Sequence, residues 1–305
     1  MNTITSSASA ARARLLHPLK SHPLTSYFVL AFAFTWISQV LTLVVWHVPE
    51  LLALLPGPFV GPTLSAFLLT GLLEGKAGVH RLLARYVRWR VPVQWYVVVL
   101  LGLPVAFLLS ALLLPGALSA FQVPTLAFGL QLLGFSLFIF FLGGPLGEEP
   151  GWRGFALPRL EQRFGPLFGS LILGVFHALW HLPLFLLIPG YDRVGTGWLL
   201  ISLGFGEFLV SIVGLTVIFT WVFNNTRGSL LLTMLLHTSA NTASMVLQLF
   251  PSLVATQAIL GHVQIFVMVI VGLLLIVVTR GRLSYAHDQR EVILPARDAT
   301  VRSES

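Results

Sequence analysis

Eight runs of about 20 mostly apolar residues follow one another along this chain, at 27–48, 51–73, 96–118, 126–146, 167–188, 198–223, 230–249 and 263–278. Each is long enough to cross a ~30 Å hydrocarbon layer at a helical rise of ~1.5 Å per residue. Inside a bilayer, a helix satisfies every backbone N–H and C=O within its own segment. The expected fold is therefore all-α, a polytopic membrane bundle of about eight transmembrane helices. The second run is the weakest, because Pro56, Pro58 and Pro62 interrupt its first half; a broken or tilted span is expected there. Composition closes the other routes. Only 10% of the 305 residues are charged, against ~25% in soluble domains, so a soluble enzyme and a nucleic-acid-binding domain are excluded as the main body. There is no cysteine, and with it go a disulfide framework, a thiolate nucleophile and a Cys-ligated zinc.

The basic residues orient the runs. With the N-terminus in the cytoplasm, only Arg193 of the 18 lysines and arginines falls outside, a split that follows the positive-inside rule. Both termini are then cytoplasmic, in a multi-pass protein of the cell membrane. The net charge of +7 reflects membrane orientation, and no nucleic-acid partner is expected. Arg12, Arg14 and Lys20 stand ahead of a full-length run, which reads as an anchor and not a cleaved leader. The division expected is a cytoplasmic segment at 1–26, a transmembrane domain at 27–279 and a disordered cytoplasmic tail at 280–305. Residues 76–95 interleave Lys76, Arg81, Arg85, Arg88 and Arg90 with Leu82, Leu83, Tyr86, Val87 and Trp89. Two readings fit them, an amphipathic helix on anionic lipid and a solvated orienting loop.

Polar groups at membrane depth are expensive, about 2.5–3.5 kcal/mol for a central charge on insertion scales, and so they mark function. Three clusters stand out. After the fourth run come Glu148, Glu149, Pro150 and Arg153. Pro150 suits the first turn of a new helix and pushes Glu149 out of the α region, placing the acids at a helix start. Adjacent carboxylates repel, so one needs a cation; Arg153, a turn away, is the natural partner and leaves the other acid able to act as a base. In the fifth run His177 and His181 share a helical face, a spacing compatible with a metal chelate. Position 178 is alanine, so any catalytic carboxylate comes from elsewhere, such as Glu148. In the seventh run His237 and Asn241 are again four apart. Glu207 is a further intramembrane acid, a second-tier candidate, while His47 and His262 read as interfacial.

In this order the clusters resemble the CAAX prenyl protease and bacteriocin-processing (Abi) family of intramembrane metalloproteases, which includes the type II CAAX prenyl endopeptidases. Its motifs are Glu-Glu-x-x-x-Arg, Phe-x-x-x-His and His-x-x-x-Asn. Glu148, Glu149 and Arg153 fit the first, His181 the second, and His237 with Asn241 the third. The likeness covers about 126–249. One departure stands out: His177 occupies the slot of the motif's Phe, and Phe176 is one position early.

The resemblance implies an endopeptidase acting on a peptide or membrane-anchored protein. Glu148 would be the general base, His181 would help hold the water, and His237 and Asn241 would donate to the developing oxyanion. It carries a metal-dependent version too, with Glu148, His181 and His237 ligating a divalent ion such as zinc; the sequence leaves both versions open. The main rival is a non-catalytic immunity or scaffold protein on the same fold. A proton-coupled transporter would show inverted repeats, which the sequence lacks.

Overall fold

The computed structural model describes residues 17–189, 191, 197–254 and 257–285. Most of the expected N-terminal segment and tail, together with Arg193, lies outside the described residues. Among the described residues, six helical stretches are long and apolar enough to cross a membrane: Pro23–Val45, Glu50–Tyr86, Val93–Leu112, Pro145–Leu187, Trp198–Asn225 and Leu230–Leu249. Two shorter apolar helices, Leu126–Leu142 and Ile265–Thr279, fall where the fourth and eighth runs are expected. No strand occurs among the described residues. The protein is an all-α multi-pass membrane bundle.

The helices that position the site are α1 (Pro23–Gln39), α2 (Leu64–Tyr86), α3 (Val93–Leu112), α4 (Leu126–Leu142), α5 (Pro145–Gly151), α6 (Leu157–Trp180), α7 (Trp198–Asn225), α8 (Leu230–Thr242) and α9 (Gln257–Thr279). Two apolar clusters hold them together. One joins α3, α7, α8 and α9 through residues such as Val99, Phe107, Phe219 and Leu236. The other joins α1, α2, α6 and the turn after α5 through Tyr27, Trp152, Phe155 and Leu157. Lipid supplies no hydrophobic drive between helices, so close approach of small residues counts for more. Where α7 crosses α9, a Cβ on Gly214 would lie 2.7 Å from the Met268 carbonyl oxygen, and only glycine permits that crossing. By contrast α4 buries no residue at all.

The prolines of the second run act as expected. Pro62 lies inside a π-helical turn, Phe59–Thr63, that leads into α2, because a proline cannot donate to the regular ladder. The loosened segment is used. Thr35 Oγ1 on α1 donates to the Gly57 carbonyl at 2.9 Å, and Thr63 Oγ1 donates to the Gly147 carbonyl at 2.6 Å, tying the turn to α5.

Of the two readings of 76–95, the helical one holds as far as Tyr86, beyond a break at Gly75 (φ 64°, ψ −160°). Not all its basic residues face outward. Arg81 and Arg159 both pair with Glu74, at 2.8 and 2.6 Å. Arg85 is 3% exposed. Its guanidinium donates to the carbonyls of Gly228, Gly154 and Arg153 at 2.9, 2.9 and 3.1 Å. Its planar fork suits three carbonyls converging from two separate turns, Arg153 and Gly154 in one and Gly228 in the other.

Candidate active site

The short helix α5 begins at Pro145, directly after Gly144 at φ 117°. The restart therefore comes five residues earlier than Pro150 suggests. The Gly143–Gly144 pair ends α4, Pro145 takes the first-turn position, and Pro150 is carried inside α5. The ladder it weakens is absorbed by a π-helical turn, Trp152–Ala156. Glu149 consequently stays in the helix. Gly144 is required twice over: its φ is one that side chains rarely adopt, and a Cβ there would stand 2.5 Å from Glu148 Oε1.

Successive residues on a helix diverge by about 100°, and the two acids take different surroundings. Glu149 is fully buried. Its Oε1 accepts from Arg153 Nη1 at 2.8 Å and lies 2.8 Å from His237 Nδ1 on α8. Arg153 is also fully buried, with its guanidinium 3.8 Å from the centre of the Phe219 ring. Glu148 has no arginine. Its Oε2 meets His177 Nε2 on α6 at 3.0 Å. His177 itself packs at a tilt beside Trp152, ring centres 5.0 Å apart. One turn on, His181 Nδ1 donates to the His177 carbonyl at 3.0 Å.

Glu148, His177, His181, His237 and Asn241 line a single cavity of about 820 Å³. Glu149 and Arg153 stand behind its wall. The rest of the lining is largely apolar, with Leu51, Leu54, Phe138, Leu142, Leu200 and Leu203 among it, a mixture typical of ligand-binding cavities. Glu207 also lines the cavity, but it faces His262 at 3.5 Å and joins neither acid. His262, read as interfacial, thus belongs to the cavity as well.

The Phe-slot departure is resolved by position. Phe176 stacks on Phe28 of α1, with ring centres 4.2 Å apart, and takes no part in the cavity. His177 occupies the place beside Glu148. The sequence signal for it was the shared face with His181, and the acid it meets is Glu148, the carboxylate expected to come from elsewhere. His237 Nδ1 meets Glu149, an outer contact of the kind that fixes the tautomer of a ligating imidazole. Among the described residues, the donors that converge are Glu148, His177 and His181, all within 4.8 Å of one another.

Two comparisons bear on this site. Residues 130–243 match the family described as type II CAAX prenyl endopeptidase Rce1-like. The chain is 33% identical over 152 residues to CAAX prenyl protease 2 of Methanococcus maripaludis, an alignment covering 46% of this chain and 52% of that protein. The chain thus spans about half the length of the curated relative it matches. The family match contains both acids, Arg153, both histidines of α6, His237 and Asn241. Residues 130–243 of this chain are thus similar to the Rce1-like type II CAAX prenyl endopeptidases.

Proposed function

We propose that the protein is an intramembrane endopeptidase that hydrolyses a peptide bond with water activated by Glu148. The observation that carries this reading is the division of labour between the acids: Glu149 is committed to Arg153 and His237, while Glu148 opens on the cavity beside His177 and His181. Glu148 takes a proton from a water molecule, and the oxygen adds to the peptide carbonyl carbon. The oxyanion so formed accepts from the Asn241 side-chain amide and from His237, which in its protonated form donates Nδ1–H to Glu149 and Nε2–H to the substrate. Glu148 then returns the proton to the leaving amine as the C–N bond breaks.

The apolar lining suits a substrate whose hydrophobic anchor enters from the bilayer. A peptide or membrane-anchored protein is the substrate class, and a prenylated CAAX-type peptide, after the relative's name, is the first to try. The distribution of basic residues supports cytoplasmic termini, with Glu148 near the cytoplasmic end of its span. The test uses purified protein with lipidated and membrane-tethered peptides. Glu148→Ala and His181→Ala should each slow cleavage by about 10²-fold or more; cleavage that survives both substitutions overturns the site.

A further inference from the structure

We propose that Arg88, Arg90 and Arg227 form a binding site for the phosphate group of an anionic phospholipid. None of the three lines the cavity, and the site does not depend on the protease reading.

Two links that the structure fastens together build it: residues 87–92 between α2 and α3, and residues 226–229 between α7 and α8. Arg88 Nη1 donates to the Arg227 carbonyl. Ser229 Oγ donates to the Arg88 carbonyl at 2.7 Å, so each link holds the other. Arg85 takes the next carbonyl along, that of Gly228, at 2.9 Å. Arg227 and Gly228 both have positive φ, 54° and 71°, and the Arg227 side chain is exposed.

Charge is the second observation. Among the described residues, no carboxylate pairs with Arg88, Arg90 or Arg227. Glu74 faces Arg81 and Arg159, and Glu161 accepts from Asn224. Partial burial, and after it the charge of Arg227, lowers the pKa of the Arg88 guanidinium below its usual value. Like charges held close repel, and an anion between them turns that repulsion into attraction. The guanidinium fork matches the oxygens of a phosphate.

Placement is the third. The Arg90 guanidinium lies 5.2 Å from the centre of the Trp89 ring, and Val87, Trp89 and Val93 are all exposed. Tyr96 Oη donates to the Trp89 carbonyl at 2.7 Å, and Trp95 meets Trp221 edge-on with ring centres 4.8 Å apart. Trp and Tyr gather where hydrocarbon meets water, and basic residues beside them stand at the level of the lipid headgroups. Arg81 and Arg85 are engaged by Glu74 and by backbone carbonyls, so the lipid contact falls on the link after α2. The exposed apolar side chains there favour a lipid, whose acyl chains cover them, over a soluble anion.

For the experiment, the full chain in detergent is titrated with dioleoylphosphatidylglycerol or dioleoylphosphatidylcholine, and bound lipid is counted by native mass spectrometry. One phosphatidylglycerol per chain is expected, held about tenfold more tightly than phosphatidylcholine. Arg90→Gln and Arg227→Asn should each weaken it by about fivefold. Asparagine tolerates positive φ, so the second variant keeps its turn. Lys76 is exposed and stands roughly 15 Å by helical rise from the end of α2. That is beyond the ~10 Å screening length, so Lys76→Gln should change binding by less than about twofold. No preference for phosphatidylglycerol, retention by both arginine variants, or an equal loss on Lys76→Gln overturns the site. Displacement of the lipid by inorganic phosphate at the same concentration makes the ligand a free anion and refutes the lipid.

Discussion

Glu148 and Glu149 are adjacent in the chain, yet one lines the cavity while the other faces Arg153, 2.8 Å away, behind its wall. Helical geometry separates them, and the arginine four residues on selects which acid it meets. One carboxylate is held in a buried ion pair, and the other is the one to which the proposed function gives the chemistry. The two are therefore expected to respond differently to the same substitution.

Glu149→Ala strands Arg153, whose Nε and Nη2 already lack partners, as a buried charge without its counter-ion. A loss of about 3–5 kcal/mol is expected, read as lower thermal stability in detergent. Glu148→Gln leaves no charge stranded, so it should abolish cleavage with little change in melting temperature. Equal melting temperatures for the two variants would contradict this division.

Asn241 lies one turn beyond His237 and lines the same cavity. If it donates to the oxyanion, Asn241→Ala lowers kcat by about 10²–10³-fold and changes KM little. Steady-state kinetics with the best peptide decides it. A rise in KM at constant kcat would instead make Asn241 a substrate-binding group.

Gly144→Ala places a methyl group 2.5 Å from Glu148 Oε1 on a backbone that resists side chains. The strain should cost about 1–3 kcal/mol, and the displaced carboxylate should cut kcat by about 100-fold. Activity at the wild-type level would show that Glu148 works from another position.

Arg85→Ala leaves the carbonyls of Arg153, Gly154 and Gly228 without their donor in a buried setting. The expected loss is about 3 kcal/mol or more, since each orphaned acceptor costs about 1–3 kcal/mol. Amide hydrogen exchange should rise first around Trp152–Ala156. Unchanged exchange there would mean that water replaces the guanidinium.

The spans were legible because an apolar run of ~20 residues has few alternatives in a bilayer. The Glu149–Arg153 pairing was legible too, as one of the two options that the local spacing allowed. What escaped was tertiary. Arg85 sits in a basic stretch whose periodicity suggests a lipid surface, and nothing local reveals three carbonyls arriving from residues 68 to 143 positions away. Pro150 misled because Gly143 and Gly144 had already restarted the helix. His177 was seen as half of a pair served by a carboxylate from elsewhere, such as Glu148; that His177, not His181, makes the direct contact is a matter of helix packing.

Glu149 Oε1 receives both Arg153 Nη1 and His237 Nδ1. A single oxygen atom therefore sets the register between α5 and α8, segments 88 positions apart in the chain. Neither helix can slide along the other without surrendering a buried charge-assisted bond. The placing of His237 and Asn241 across the cavity from Glu148 thus hangs on an oxygen that never faces the cavity itself.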